Sequence, residues 1–166
     1  MNNIQTSFIK TGLAGALGNK GSCVITFKYR NTSFAIACSH LAAGITSNSN
    51  RLSEIMEILE YHPNQNRDAS SPESQEKFQD SDIWFIVGDL NFRNDVDLDS
   101  IDKYITNKDW KKLMQYDQLY KIRSALTGLD NLEEGEIKFQ PTYQFEVGKN
   151  EYNKKKARNP SWCDRI

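Results

Sequence analysis

A carboxylate, an amide and a guanidinium follow a run of apolar residues in the middle of the chain. The segment IWFIVGDLNFR, residues 83–93, places Asp89 two positions before Asn91, with Arg93 after it. If the strand continued in extended form, the first two side chains would point the same way. A carboxylate can take a proton from water or bind a cation, and a nearby amide can donate to a phosphoryl oxygen. Gly-Asp-x-Asn is also good turn chemistry, so this segment alone leaves a site and a turn equally open.

A histidine ends another strand-like segment. His40 closes TSFAIACSH and is followed by small residues that leave room around its ring. An imidazole gains and loses its proton near neutral pH, so His40 could contact or protonate a phosphate oxygen. A lone histidine is more often an ordinary hydrogen-bonded side chain, and that alternative stays open. His62, beside Pro63 at a predicted helix end, is assigned no role.

Cations occur in two other segments. The glycine-rich residues 12–21 include Asn19 and Lys20, which could bring backbone N–H groups and an ammonium to an anion. The segment lacks the Gly-x-x-x-x-Gly-Lys-Ser/Thr spacing of a P-loop, so a structural entry into the next strand is an equal alternative. The run NKKKAR contains Lys156 and Arg158 in what is ordinarily a solvated loop. Long cations on a loop beside an acidic site could still hold a polyphosphorylated substrate.

The last residues, PSWCDRI, combine an aromatic ring, a thiol and an acid–base couple. Asp164 and Arg165 are expected to form a buried ion pair, which could also orient catalytic neighbours. Cys163 lies beside that carboxylate, a poor electrostatic setting for a thiolate. This argues against a cysteine-phosphatase mechanism.

Strands and helices alternate around these residues. Residues 22–30 and 32–40 are rich in β-branched and aromatic side chains and predict an antiparallel hairpin. The run IWFIV, residues 83–87, predicts a strand with both faces covered, because it is uniformly apolar. A helix is predicted from Asn50, with one apolar face formed by Leu52, Ile55, Met56 and Leu59.

The second half of the chain adds further elements of both kinds. Residues 99–104 and 110–126 predict two helices, the second with Trp110, Leu113 and Met114 toward the core. FQPTYQF is a short extended piece. The pattern as a whole predicts an α/β or α+β fold with a mostly antiparallel sheet.

Composition narrows the class of protein. The chain has 166 residues, 38% of them hydrophobic and 26% charged, which suits one soluble domain. A net charge of −1 gives no global field for nucleic acid or an anionic membrane, so anion binding requires a local cluster. The odd number of widely spaced cysteines argues against a disulfide framework or a structural zinc site and favours a reducing cytosol. No apolar run approaches the ~20 residues of a membrane span.

Five segments, in order, carry a family resemblance. They are GNKG, SHLAAG, WFIVGDLNFR, FQPTYQF and RNPSWCDRI, which together run from about residue 12 to the last residue. In these segments the chain resembles the inositol polyphosphate 5-phosphatases, within the superfamily that includes type I deoxyribonuclease and apurinic endonucleases. The resemblance implies a four-layer α/β/β/α sandwich and Mg²⁺-dependent removal of the 5-phosphate from an inositol ring. The expected substrate is a phosphoinositide lipid or a soluble inositol polyphosphate, and the expected location is cytoplasmic, with peripheral membrane contact left open.

The resemblance also implies roles for individual residues. Asp89 resembles the group that activates the attacking water, Asn91 and His40 resemble contacts to the scissile phosphate, and Asp164 resembles an active-site carboxylate supported by Arg165. The remaining implied substrate-binding residues are Asn19 and Lys20 in the glycine-rich loop, Arg93, and Tyr143, Lys156 and Arg158 at a 4-phosphate. Attack on a phosphoryl centre depends mainly on positioning and charge neutralisation, which suits this set.

Two departures from the family pattern matter. Gln144 stands where a lysine commonly follows the tyrosine. The chain also lacks the family's upstream Mg²⁺-binding glutamate and its SDH segment. Residues 1–166 are therefore expected to be a single truncated phosphatase domain that is unstable alone. The metal ligands are unknown. The alternative is a catalytically incomplete remnant that binds phosphoinositides or a partner. A nuclease is disfavoured by SHLAAG and by the basic loop that precedes PSWCDRI. A nuclease should also show a longer basic, groove-facing surface, so no nucleic acid partner is expected.

Overall fold

The structure is a computed structural model that describes residues 2–11, 18–63, 75–123, 129, 132–153 and 158–166. The chain divides into two compact units. The first comprises Met1–Ala43, Ser49–Leu90 and Arg165–Ile166, and the second comprises Gly44–Asn48 and Asn91–Asp164. No helix within the described ranges is long and apolar enough to cross a membrane.

The described residues form a five-stranded sheet with the strand order β1-β2-β3-β4-β5. The strands are β1 Asn2–Lys10, β2 Gly21–Tyr29, β3 Thr32–His40, β4 Ile83–Asp89 and β5 Asp164–Arg165. The pairs β1-β2 and β2-β3 are antiparallel, and β3-β4 is parallel. The predicted α/β class with a mostly antiparallel sheet is confirmed.

The predicted hairpin is confirmed as β2 and β3. Their register runs from Tyr29 opposite Thr32 to Gly21 opposite His40. The turn uses Arg30 with a φ of +55°, a left-handed conformation that lets a short connection follow the twist of the strands. This register brings the start of β2 to the end of β3, where the candidate histidine lies.

The parallel pairing of β3 with β4 sets the other neighbour of that histidine. Its register runs from Phe34 beside Ile83 to His40 beside Asp89. At the start of the two strands, Asp82 accepts hydrogen bonds from the backbone N–H and the hydroxyl of Ser33, both at 2.7 Å. These bonds, the backbone bond first, hold the pKa of the Asp82 carboxyl below its usual range. The hydrogen bonds between Ser33 and Asp82 help to hold the β3–β4 register, which ends at the candidate site.

Helix α1, Asn48–Leu59, follows the loop after β3. Its buried face includes Ile55, Ile58 and Leu59, at the i, i+3 and i+4 spacing of a helical stripe. The prediction that Met56 belongs to this face is wrong, because its side chain is 37% exposed and Ile58 lies on the buried stripe instead. A short 3-10 helix, Phe78–Asp80, precedes β4.

The sheet has one buried and one open face. Val24 and Ala37 are buried, whereas Cys23 and Cys38 face outward directly opposite each other. Strand β4 follows the same alternation, with Phe85 44% exposed. The prediction that both faces of β4 are covered is therefore wrong for the described residues. A uniformly apolar strand is typical of burial on both faces. The sequence of the strand does not show which face the rest of the chain covers.

The described part of the second unit contains three short helices, α2 Leu98–Thr106, α3 Trp110–Met114 and α4 Gln118–Arg123. The predicted helix over 99–104 is confirmed as α2. The predicted helix over 110–126 is two helices in the described part, and residues 124–126 lie outside it. The break has a local cause, since the buried Asp117 accepts a hydrogen bond from the Tyr120 N–H at 2.9 Å and caps α4.

The core of the second unit contains Ile101, Leu113 and Trp162. The Trp162 indole N–H donates to the Phe139 carbonyl oxygen at 3.1 Å, so its polar atom is satisfied within the fold. Leu113 is buried as predicted, while Trp110 and Met114 are only partly buried against this core. Residue 162 thereby connects the final segment of the chain to the body of the unit.

Candidate functional site

The first unit brings three predicted residues together at one edge of its sheet. His40 Nε2 lies 3.4 Å from Asp89 Oδ2 and 2.5 Å from Lys20 Nζ. The His40 and Asp89 side chains are 54% and 36% exposed, so solvent and ligands can reach both. Because β3 and β4 are parallel, both residues lie at carboxyl ends of strands, where ligands bind in many open sheets.

The contact between Lys20 and His40 constrains the imidazole. An ammonium can only donate, so Nε2 accepts and the neutral ring carries its proton on Nδ1. If the ring is protonated, the same nitrogen faces the Asp89 carboxylate as an ion pair. Nε2 of His40 therefore lies between a cationic and an anionic side chain.

Gly88 allows the two strands to approach each other just before Asp89. Its φ is +114°, and a Cβ atom there would collide with the carbonyl oxygen of Ser39. Beneath this contact, the Ser39 and Ser22 hydroxyls hydrogen-bond at 2.7 Å in a buried position. Only glycine meets both the backbone and the steric requirement at this position.

We expect Gly88→Ala to lower the free energy of unfolding by at least about 2 kcal/mol, because a strained φ and a backbone collision both arise. Gly148→Ala is the matched control. Gly148 also has a positive φ, +77°, but nothing lies within 4 Å of an added Cβ. Its cost is expected to be about 1 kcal/mol. Urea denaturation of both variants checks this, and equal losses would contradict the proposed close approach.

The second unit holds a different group around Asn91 and Arg93. The Arg93 Nε donates to the Asn91 carbonyl oxygen at 3.1 Å, and Nη2 donates to the Asn91 side-chain oxygen. Both side chains are buried. Asn91 has a φ of +55°, so the chain turns here, which agrees with the turn alternative and not with an extended continuation of the strand. The guanidinium fixes which way the amide of Asn91 points.

Arg93 also packs on Tyr143, which connects it to Arg158. The guanidinium carbon of Arg93 lies 4.1 Å from the centre of the Tyr143 ring, a cation–π contact. Arg158 Nη1 donates to the Tyr143 hydroxyl at 2.7 Å and to Gln144 Oε1 at 3.0 Å. The structure thus groups Arg93, Tyr143 and Arg158, while Lys156 lies outside the described residues.

The segment carrying Tyr143 is braced by Tyr152. The Tyr152 ring stacks on Phe145 with 4.4 Å between centroids, and its hydroxyl donates to the Pro141 carbonyl oxygen at 2.7 Å. Burial raises the pKa of Tyr152 to about 12, so the hydroxyl keeps its proton and remains a donor. These two contacts hold the predicted extended segment in place.

The final segment departs from expectation in one respect. Asp164 is exposed and Arg165 is buried, as adjacent strand residues alternate between faces, so the predicted burial of the acid–base couple is wrong for Asp164. Cys163 is buried, with its thiol 3.7 Å from the Phe92 carbonyl oxygen, a position unsuited to a nucleophile. Asn19 is exposed in the turn before β2.

Sequence reasoning missed the polar residues that surround Arg93. Gln118 Oε1 accepts from the Arg93 backbone N–H at 3.1 Å. The Asn94 side chain donates to the Pro160 carbonyl oxygen at 2.7 Å, and the Ser161 hydroxyl accepts from the Asn94 N–H at 3.0 Å. Neither periodicity nor spacing predicts these long-range bonds. The one available signal was that Asn159 and Ser161 are polar residues next to an apolar tryptophan.

A divalent metal site requires donor side chains that lie close together. Among the described residues, no three His, Cys, Asp or Glu side chains are grouped so that they could hold a metal ion. At the edge of the first unit, Asp89 is an accessible carboxylate. Mg²⁺ is commonly bound through one or two carboxylates together with substrate phosphates and waters. The donors fit a metal held jointly with substrate rather than a preformed protein cage.

Residues 1–166, the entire chain, match the model of Endonuclease/Exonuclease/phosphatase family 2. The chain belongs to this family. The match spans both units, so it covers the His40 and Asp89 pair as well as the Arg93 group. The family membership expected from the five segments is confirmed, while the roles assigned to single residues stay predictions.

Three curated relatives of this family member have related names. Synaptojanin-2 of Rattus norvegicus is 35% identical over 165 residues, which are 99% of this chain and 10% of that protein. Type II inositol 1,4,5-trisphosphate 5-phosphatase of Mus musculus is 34% identical over 168 residues, covering 100% of the chain and 17% of that protein. Phosphatidylinositol 3,4,5-trisphosphate 5-phosphatase 2 of Canis lupus familiaris is 34% identical over 174 residues, with 100% and 14% coverage. The chain spans at most 17% of the length of these three relatives.

Solved structures agree with the family assignment. The inositol polyphosphate 5-phosphatase domain of SPsynaptojanin, in complex with inositol (1,4)-bisphosphate and calcium ion, matches with a TM-score of 0.78 and 30% identity, over 99% of this chain and 46% of that one. Cimex nitrophorin matches with a TM-score of 0.68 and 22% identity, over 98% and 51%. The second match shows the fold alone. The α/β fold expected from the resemblance is therefore that of the phosphatase domain.

Proposed function

We propose that this family member is a phosphoric monoester hydrolase that removes the 5-phosphate from phosphoinositides or inositol polyphosphates. The observation that carries the proposal is the His40 and Asp89 pair, joined by Lys20, at the carboxyl ends of two parallel strands. Three relatives named as synaptojanin or 5-phosphatases, and a solved relative that holds inositol bisphosphate, support the substrate class.

Asp89 is the proposed proton acceptor. Water attacks the phosphorus of the 5-phosphate while one water proton passes to the Asp89 carboxylate. The bond from phosphorus to the ester oxygen on C5 of the inositol ring breaks, and inorganic phosphate leaves. Protonated His40 gives its proton to that ester oxygen, which becomes the inositol hydroxyl. Lys20, beside His40, contributes positive charge to the phosphoryl oxygens, which carry the charge of the transition state.

Phosphate recognition is proposed for individual residues around Tyr143. Arg93 and Arg158 flank Tyr143 and provide planar guanidinium donors suited to phosphate oxygens. Asn91 has its amide orientation set by Arg93 and is proposed to donate to the scissile phosphate. Asp164, Arg165, Asn19 and Lys156 keep their predicted roles as proposals.

Mg²⁺ is the proposed metal. The solved relative holds calcium ion, which supports a divalent cation in this class of site. When bound, Mg²⁺ would neutralise phosphoryl charge and polarise the phosphorus. Asp89 is the described carboxylate available at the sheet edge that could share it with the substrate. We also propose a cytoplasmic location, with peripheral contact to membranes where a lipid substrate would lie.

The alternative function is binding of phosphoinositides, or of a partner, without turnover. The test is phosphate release by the full-length gene product from a short-chain 4,5-bisphosphorylated phosphoinositide and from soluble inositol 1,4,5-trisphosphate. Release that requires Mg²⁺ and is abolished by EDTA is expected, with the 4-monophosphorylated lipid unchanged as control. Binding without release would support the alternative, and neither would contradict both.

A further inference from the structure

The peptide group two residues after His40 is held on both sides by charged side chains of α1. The Ala42 N–H donates to Glu54 Oε2 at 2.8 Å, and Arg51 Nη1 donates to the Ala42 carbonyl oxygen at 2.8 Å. Arg51 and Glu54 are three positions apart, so both lie on the same side of the helix. The helix therefore clamps one backbone unit of the loop.

The burial of these two side chains makes the clamp unusual. Arg51 is 0% exposed and Glu54 is 8% exposed, on the same side of α1 as the apolar Ile55 and Ile58. Charged side chains are rarely buried to this extent, because desolvation costs more than the attraction between them ordinarily returns. Apolar side chains at both positions would serve packing as well. What the charges add is a fixed position for the Ala42 peptide.

The residues of this loop have small side chains. Its residues Ala42, Ala43 and Gly44 have small or no side chains, so they cannot anchor themselves through packing. On the His40 side, the Leu41 N–H donates to the Asp89 carbonyl oxygen at 3.0 Å and the Leu41 side chain is fully buried. Backbone bonds thus hold the chain at residues 41 and 42, directly after the histidine. The β3–β4 register places His40 beside Asp89, and the bonds at residues 41 and 42 restrain the backbone that follows the imidazole.

We propose that Arg51 and Glu54 are positioning residues for the phosphatase reaction, holding His40 at Asp89 by clamping the Ala42 peptide. This inference rests on the proposed function for its catalytic meaning. The two side chains do not contact His40 or Asp89 in the bonds described, and they act through the Ala42 backbone. Their effect is on the geometry of the pair, at a distance of two residues along the chain.

The test compares Glu54→Leu with Glu54→Gln in the full-length chain. Leucine keeps buried volume without an acceptor, but it leaves the buried Arg51 guanidinium without a neighbouring carboxylate, so thermal unfolding of each variant is measured alongside. Glutamine keeps an oxygen that can accept from the Ala42 N–H. Glu57→Leu is the matched control, since Glu57 is on the same helix but exposed. In Glu54→Leu, amide exchange at Ala42 is expected to accelerate at least about tenfold, as loss of a bond to a charged acceptor predicts.

A second readout separates positioning from a general loss of structure. The ring resonances of His40 should shift or broaden in Glu54→Leu and return toward wild type in Glu54→Gln, while amides of Val24 and Ala37 in the buried sheet keep their protection. Unchanged His40 signals together with faster Ala42 exchange would overturn the inference. If Glu54→Leu loses the sheet protection as well, Arg51→Lys decides: faster Ala42 exchange and shifted His40 signals support the clamp, and wild-type behaviour overturns it.

Kinetics link the clamp to the reaction. With the phosphoinositide assay, Glu54→Leu should lower kcat about tenfold with little change in KM, because the substrate-binding arginines are untouched, and Glu54→Gln should recover most of it. A fall confined to KM would overturn the inference. If the wild-type protein shows no turnover, the proposed function fails, and the exchange and resonance measurements still decide whether the clamp positions His40.

Discussion

Asp89→Asn is expected to reduce kcat for 5-phosphate release by about 1,000-fold, the contribution typical of a positioned general base. Asparagine has nearly the same shape, but it cannot accept the proton of the attacking water. It also removes the carboxylate that lies 3.4 Å from His40 Nε2, so a protonated ring loses its ion-pair partner. The strand pairing at this edge uses backbone groups and should be preserved.

The control for this experiment is Asp95→Asn. Asp95 is exposed, and its pair with Lys121 at 3.9 Å is the kind of surface contact that contributes little. Phosphate release by each variant is measured at saturating substrate, and thermal unfolding checks that both remain folded. Activity of Asp89→Asn within about tenfold of wild type would exclude the carboxylate as the base.

Arg93→Met is expected to lower kcat/KM by about 10- to 100-fold, equivalent to losing charged hydrogen bonds of about 1.5–3 kcal/mol. Methionine is long enough to keep packing against Tyr143, but it cannot bond the backbone and side-chain oxygens of Asn91. The Asn91 amide then loses the partner that sets its direction. Arg93→Lys should not restore activity, because an ammonium has no planar fork.

Tyr143→Phe provides the comparison for Arg93. Phenylalanine keeps the ring that faces the Arg93 guanidinium and removes only the hydroxyl that Arg158 binds. Because Arg158 is exposed and also bonds Gln144, we expect a loss of less than about tenfold. Steady-state kinetics and binding of a non-hydrolysed phosphoinositide separate the two variants. A larger effect for Tyr143→Phe than for Arg93→Met would contradict the proposed importance of the Asn91 contact.

Local patterns predicted the elements that carry the candidate residues. The hairpin of β2 and β3 was predictable because β-branched runs flank a short polar turn, and α2 because its apolar spacing is helical. His40 and Asp89 were each identified as residues at strand ends. These features depend on residues close together in the sequence, which is why single-chain patterns suffice to predict them.

Long-range features were not predictable in the same way. The parallel register that sets His40 beside Asp89 depends on pairing between distant strands, and no local pattern encodes it. The open face of β4 depends on what the rest of the chain covers. The sequence did not predict the contacts of Arg51 and Glu54 with Ala42, because charged residues on a helix are ordinarily expected to face solvent.

The parallel register also has a consequence for how the site forms during folding. Lys20 and His40 lie at the ends of one hairpin, so they can meet as soon as β2 and β3 pair. Asp89 joins only when β4 docks, and the Ser33 and Asp82 contact that accompanies this docking joins residues 49 positions apart. Parallel pairing between strands far apart in the sequence is slow compared with local pairing. Asp89 is therefore expected to join the pair of Lys20 and His40 last during folding.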